Sequence, residues 1–280
     1  MKIIIAKNAG YCFGVRDAVD LANNIAEKEG EVYMLGDIVH NEKVVDDLSN
    51  AGAKVVKSLK DVPENGTVLF RAHGTKNDIW EEAQRLSLNI KDATCPLVHK
   101  IHQDVRNLSN EGRKIIVIGD HGHDEVVAIA DQAKKTIVIS NPQEAKKLKR
   151  IRKAGIVCQS TQAIENVQEI ISILMTKIFD LRFVNTICYP TKRNQEQIKD
   201  LAKIVDIMII IGSFTSANSM RLTSLSKDLN VNTFQVTDES ELNDKWFTDC
   251  KSVGISAGAS TPDYLINSIK NKIERIGNRI

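Results

Sequence analysis

Three cysteines stand at matching places in the chain and limit how it can fold. Cys12 lies in Ala9-Gly10-Tyr11-Cys12-Phe13-Gly14-Val15, Cys95 in Asp92-Ala93-Thr94-Cys95-Pro96-Leu97-Val98 and Cys188 in Asn185-Thr186-Ile187-Cys188-Tyr189-Pro190-Thr191. They are 83 and 93 residues apart. In each case an extended lead-in ends at the cysteine and a helix-like stretch follows. The pattern predicts three similar units, each placing one thiolate at a shared centre.

The rest of the chain keeps the same rhythm. Lys2–Ala6, Val32–Leu35, Thr67–Phe70, Lys114–Ile118, Thr136–Ile139, Gly155–Cys158, Asp206–Ile211 and Val253–Ser256 read as short buried strands. Between them apolar residues recur at offsets of three and four, as in Val15, Ala18, Val19, Ala22, Ile25 and Ala26, which predicts helices. Asn41 is placed to cap one of them, and Gly30 and Gly112 to end two others. Strands alternating with helices build βαβ units and parallel sheets. The expected fold is α/β, with three similar α/β domains over residues 1–95, 96–187 and 188–280 and with the opening strand, 1–13, able to pack with the third.

Composition narrows the function classes. The 280 residues hold 42% hydrophobic and 26% charged side chains, ordinary for a globular protein. A net charge of +2 does not suggest a nucleic-acid or membrane-surface protein. The apolar run Ile207–Ile211 is far too short to span a bilayer. The strand-like start at Met1–Ile5 does not read as a secretory signal. Five cysteines in a chain expected in the cytoplasm do not read as a disulfide framework.

Ligands of parallel α/β sheets bind beyond the carboxyl ends of the strands, and every unusual polar motif here falls there, just before a helix. No Cys-x-x-Cys pair supports the usual zinc spacing. Three thiolates can hold an iron–sulfur cube that leaves one iron without a protein ligand. Cys158, ending an apolar strand, and Cys250, in a polar stretch near the surface, read as structural. His40, His73 and His123 lie in turns and are candidate donors. Glu125, two residues after His123, is a candidate proton source. His99 and His102, on a helix, read as structural. Ser216-Ala217-Asn218 and Gly258-Ala259-Ser260 open helices, where hydroxyls, amides and backbone N–H groups favour phosphate. Neither GxxxxGK[ST] nor GxGxxG is present, which argues against a P-loop or a dinucleotide fingerprint. The residues alone leave open a reductase, an iron–sulfur sensor that binds a partner, and a zinc hydrolase.

These motifs, with Ile38-Val39-His40-Asn41, Ala72-His73-Gly74, Gly122-His123-Asp124-Glu125-Val126 and Gln159-Ser160-Thr161, stand in the order of a known family. Together they resemble the 4-hydroxy-3-methylbut-2-enyl diphosphate reductases, which act last in the methylerythritol phosphate route to isoprenoids. The resemblance runs from about residue 3 to residue 266. It implies one [4Fe–4S] cluster held by Cys12, Cys95 and Cys188 at the centre of the three domains, with the substrate hydroxyl on the open iron. It implies a diphosphate among His40, His73, His123, Ser216, Ala217, Asn218 and Ser260. Glu125 would be the proton source, aided by the hydroxyl of Ser160. Two electrons and two protons would remove the hydroxyl as water and give isopentenyl or dimethylallyl diphosphate. The electrons would come from a small carrier such as ferredoxin or flavodoxin.

The chain departs from the family pattern in three places. Position 160 is Ser where Thr is common, which keeps the hydroxyl but loosens its rotamer. Position 217 is Ala where a second Ser is usual, so that only its backbone N–H can help hold phosphate. Arg193-Asn194-Gln195 replaces the common Asn-Arg-Gln order and moves an arginine.

Overall fold

The computed structural model describes residues 1–279, apart from the side chain of residue 29. The chain opens with β1 (Lys2–Ile5) and α1 (Phe13–Glu29), then runs β2 (Val32–Leu35), α2 (Glu42–Asn50), β3 (Ala53–Val56), β4 (Thr67–Phe70), α3 (Asn77–Arg85), β5 (Asn89–Asp92) and α4 (Pro96–Asn110). It continues with β6 (Lys114–Ile118), α5 (Asp124–Ala130), β7 (Ile137–Ile139), α6 (Pro142–Lys147), β8 (Ile151–Cys158), α7 (Ile164–Met175), β9 (Ile178–Phe183) and α8 (Tyr189–Ala202). It ends with β10 (Ile207–Ile211), α9 (Ala217–Lys227), β11 (Thr233–Val236), β12 (Ser252–Ala257) and α10 (Asp263–Gly277).

The strands form three four-stranded parallel sheets, ordered β3-β2-β4-β5, β7-β6-β8-β9 and β11-β10-β12-β1. All three have one topology. The first strand of each sits second in the order, beside its successor, and the later strands extend the other side. In the third sheet β1 holds the edge that β5 and β9 hold in the other two, pairing Lys2 with Ser252 and Ile5 with Ile255. The turn after each first strand starts with a glycine that closes onto the end of the neighbouring strand. Gly36 N–H donates to Val56 C=O at 2.9 Å, Gly119 to Ile139 at 3.0 Å and Gly212 to Val236 at 2.9 Å.

Apolar burial on both faces fixes the central strands. In β10, Ile207, Ile209 and Ile211 pack with Ile255, Ile269 and Ile273, while Met208 and Ile210 pack with Ile198, Leu201 and Leu222. In the sheet of β6 and β8, Ile116, Ile118 and Ile156 pack with Val167 and Ile170 on one face. Ile115, Val117 and Val157 pack with Ile101, Val105 and Leu108 on the other. Each such side chain contributes about 1.5–3 kcal/mol by leaving water.

The short strands β3, β9 and β11 have no counterpart in the sequence reading. Their burial alternates or is partial, so no long apolar run marks them. β8 starts at Ile151 rather than Gly155, because Arg152 and Lys153 interrupt the apolar run in sequence without leaving the ladder.

Contacts divide the chain into two compact units. One holds Met1–Arg16, His40–Asp46 and everything from Tyr189 onward, including the sheet of β10. The other holds Asp17–Val39 and Asp47–Cys188, with the other two sheets.

Candidate active site

The three cysteines are held in one way. Each follows the edge strand of its sheet and directly precedes a long helix: Cys12 before α1, Cys95 before α4 and Cys188 before α8. Each donates its backbone N–H to the carbonyl of the second residue beyond the adjacent strand. Cys12 bonds Ala259 past β12 at 3.2 Å, Cys95 bonds Ala72 past β4 at 3.0 Å and Cys188 bonds Ser160 past β8 at 2.9 Å. All three side chains are half-buried, and none is in a disulfide. A helix N-terminus favours thiolate over thiol, because the unsatisfied N–H groups carry partial positive charge.

In the unit of Asp47–Cys188, Asp92 shapes the turn that leads to Cys95. Its Oδ1 accepts from Thr94 N–H at 3.0 Å and from Thr94 O–H at 2.6 Å, and its Oδ2 lies 2.9 Å from His99 Nε2. Glu125 is in the first turn of α5 and only 2% exposed. Ser160 holds both of its oxygens: the backbone N–H donates to Oε1 at 2.6 Å and the hydroxyl to Oε2 at 2.8 Å. His123 caps the same helix, its Nδ1 accepting Glu125 N–H at 3.1 Å. A neutral His123 ring therefore carries its proton on Nε2. The His73 ring meets it edge-to-face, with centroids 5.7 Å apart. Arg71 donates to Asp124 at 2.5 Å and orders the turn before Glu125. Gly74 has φ +86°, and a Cβ there would lie 2.8 Å from His102 Cε1, so Ala-His-Gly cannot take a larger third residue without displacing His102.

In the unit that carries Cys12, His40 and Ser260 are joined through Asn41. Ser260 O–H donates to His40 C=O at 3.1 Å, and Asn41 Nδ2 donates back to Ser260 C=O at 2.9 Å. Asn41 Oδ1 caps α2 by accepting from Lys43 and Val44 N–H. Ser216 caps α9 through Ser219 N–H at 3.3 Å, and Ala217 is the first residue of that helix. Asn218 is 6% exposed, and its Nδ2 has no hydrogen-bond partner among the described residues. A buried amide donor at a helix N-terminus lacks an acceptor there, as an anion cradle requires.

The predicted residues thus fall into two groups. His73, Cys95, His123, Glu125, Ser160 and Cys188 belong to one unit, and Cys12, His40, Ser216, Ala217, Asn218 and Ser260 to the other. Asn41 as the tie between His40 and Ser260, and Arg71 as the partner of Asp124, were not assigned from sequence. Asn41 carried a signal as a cap candidate beside His40; Arg71 carried none. The remaining cysteines lie apart. Cys158 is fully buried in the core. Cys250 is half-buried rather than superficial: it packs against the core under β12, and burial raises its thiol pKa. His99 binds Asp92, and His102 is buried under Gly74. His121 binds Glu144 at 2.8 Å.

Comparison with known proteins covers nearly the whole chain. A family model described as LytB protein matches residues 3–274. A 4-hydroxy-3-methylbut-2-enyl diphosphate reductase of Geobacter metallireducens is 42% identical, covering 99% of this chain and 98% of the relative. One from Geobacter sulfurreducens is 40% identical over 100% and 99%. Among solved structures, E-1-hydroxy-2-methyl-but-2-enyl-4-diphosphate reductase from Plasmodium falciparum superposes with a TM-score of 0.93 at 28% identity, covering 96% of this chain and 87% of that one. Another, (E)-4-hydroxy-3-methyl-but-2-enyl diphosphate reductase, described as the terminal enzyme of the non-mevalonate pathway, has a TM-score of 0.71 at 38% identity, covering 98% and 100%. With a match over nearly its whole length, the chain belongs to the LytB protein family.

Proposed function

We propose that the protein reductively dehydroxylates (E)-4-hydroxy-3-methylbut-2-enyl diphosphate to isopentenyl and dimethylallyl diphosphate, using one [4Fe–4S] cluster on Cys12, Cys95 and Cys188. The observation that carries this reading is the threefold repetition of one cysteine anchor, at the same place in three sheets of one topology. Three thiols outside disulfides, each at a helix N-terminus, fit such a group. When bound, the cluster supplies electrons and a Lewis-acidic iron.

The protein's own residues do the rest. Glu125, aimed by Ser160, delivers a proton at the carboxyl group. His123, through its Nε2–H, and the turn residues His40 and His73 serve as further donors. Asn218 Nδ2, the Ser216 and Ser260 hydroxyls and the Ala217 backbone N–H supply donors for the diphosphate. The net change consumes two electrons and two protons, releases one water and leaves a carbon–hydrogen bond at one of two allylic positions, hence two products. A ferredoxin or flavodoxin supplies the electrons one at a time. The chain works in the cytoplasm as three α/β domains, 1–95, 96–187 and 188–280, with the opening strand packed into the third. Among the described residues no helix is long and apolar enough to cross a membrane.

Serine variants of the five cysteines test the ligand set. After anaerobic purification, Cys12→Ser, Cys95→Ser and Cys188→Ser are each expected to lose most of their bound iron. Cys158→Ser and Cys250→Ser should hold as much as the parent. Full iron in any of the first three would remove that residue from the set.

A further inference from the structure

The unit carrying Cys12 has a recess of about 360 Å³ with Cys12 in its wall. Three cations line it, Lys7, Arg16 and Arg193, against one carboxylate, Asp263. Arg16 pairs loosely with Asp263 at 3.7 Å and lies 5.6 Å from the centre of the Tyr11 ring, while the Arg193 guanidinium donates to Asn8 at 2.5 Å. Both arginines and Lys7 are exposed. After the Arg16–Asp263 pair two positive charges remain, as many as the net charge of the whole chain.

Two aromatic rings frame the same recess. Phe13 follows Cys12 and Tyr189 follows Cys188, and the rings stack in parallel, 5.7 Å apart at 7°. Tyr189 is 53% exposed. The equivalent residue after Cys95 is Pro96, so the aromatic pair is not a requirement of the repeated fold. A stacked aromatic pair with one exposed and one half-buried ring, flanked by arginines, has the composition of the centre of a transient protein interface. Fixed positive charge speeds and orients the approach of an acidic partner.

We propose that this recess is the docking face for a small acidic one-electron carrier protein. The inference rests on the functional reading above. Each reduced carrier seats its acidic face on Lys7, Arg16 and Arg193, gives up one electron to the centre bearing Cys12 and leaves oxidised; two visits supply the pair that one turnover consumes. Charge complementarity selects the partner, and Cys12 in the wall makes the path short.

A second basic patch, around Arg150 and Arg152, is the natural control. It flanks the start of β8, whereas Ser160 and its bond to Cys188 lie beyond the other end of that strand. Eight residues of strand put the two ends about 25 Å apart.

The test titrates oxidised holoenzyme with an acidic [2Fe–2S] ferredoxin by calorimetry in 50 and 300 mM salt, and measures turnover with methyl viologen as a small-molecule donor. The double variant Arg16→Glu/Arg193→Glu should raise the ferredoxin Kd at least about tenfold at 50 mM, and the gap should shrink at 300 mM. Viologen-driven turnover should stay within about twofold of the parent, since no interface is used. Arg150→Glu/Arg152→Glu should leave the Kd unchanged. Should the first double variant fail to retain iron, Lys7→Glu decides by the same titration. An unchanged Kd in the first variant, or a rise in the control alone, overturns the docking face. A parent enzyme that binds ferredoxin but does not consume the diphosphate with viologen overturns the functional reading instead.

Discussion

Glu125 is a carboxyl group with both oxygens held by one residue, buried to 2%. Glu125→Gln keeps an acceptor for Ser160 N–H and reverses only the hydroxyl bond, so the fold and the iron content should survive. In the proposed function the change removes the proton source. Turnover should fall about 10²–10⁴-fold, measured as consumption of 4-hydroxy-3-methylbut-2-enyl diphosphate at equal iron loading; an unchanged rate would strip Glu125 of its role. His102 makes a pH prediction. Burial, and after it the nearby charges of His99 and Arg106, lower its pKa from 6.5 to about 4. The folded state thus prefers the neutral ring, and between pH 6.5 and 4 the unfolded chain binds more protons. Stability should be full above pH 6.5 and fall as the pH drops through that window, by about 2 kcal/mol between pH 7 and pH 5. Urea unfolding of the parent and of His102→Gln should show a smaller drop in the variant. At this scale the sequence was informative wherever chemistry comes with a turn signal, as for His73 beside Gly74 or His123 two residues before Glu125. Arg71 was invisible, because an arginine after a strand looks like any solvated cation until Asp124, 53 residues later in the chain, meets it.

Elements were legible where burial is two-sided. β10, with five consecutive buried residues, and β6 stood out because an apolar run admits few other readings. The edge strands β3, β9 and β11 did not, since half of their pairing surface faces outward and their sequences carry charge or polar groups. The same logic sets the cost of change. Ile209, fully buried within β10, should lose about 2–5 kcal/mol on conversion to alanine, read from the denaturant midpoint at constant slope. A shift below about 1 kcal/mol would mean that this core is looser than its burial implies. The turns repeat as the strands do. Gly36, Gly119 and Gly212 follow the first strand of each sheet at the same separations as the three cysteines. That second register was present in the sequence, but glycines are too common to be noticed without the hydrogen bonds that make them equivalent.

Across the whole molecule, one pattern of four strands is used three times, and in the third sheet β1 supplies the fourth strand. The alternation of strands and helices announced the α/β class, and the cysteine spacing announced three copies. The assignment of residues to compact units could not be read from the chain. His40–Asp46 lies within the first third of the sequence, yet it belongs with the segment from Tyr189 onward, because Asn41 bonds Ser260 and Lys43 pairs with Asp238. Those are contacts between residues about two hundred positions apart, and no local pattern encodes them. In the proposed function three equivalent cysteines hold an iron–sulfur cluster that reduces an allylic diphosphate. The most direct test is to purify the protein anaerobically, count iron and acid-labile sulfide, then add reductant and 4-hydroxy-3-methylbut-2-enyl diphosphate. The account predicts about four irons and four sulfides per chain, with the diphosphate consumed and both isopentenyl and dimethylallyl diphosphate formed. Zinc without sulfide, or a full cluster that leaves the diphosphate untouched under viologen reduction, would contradict it.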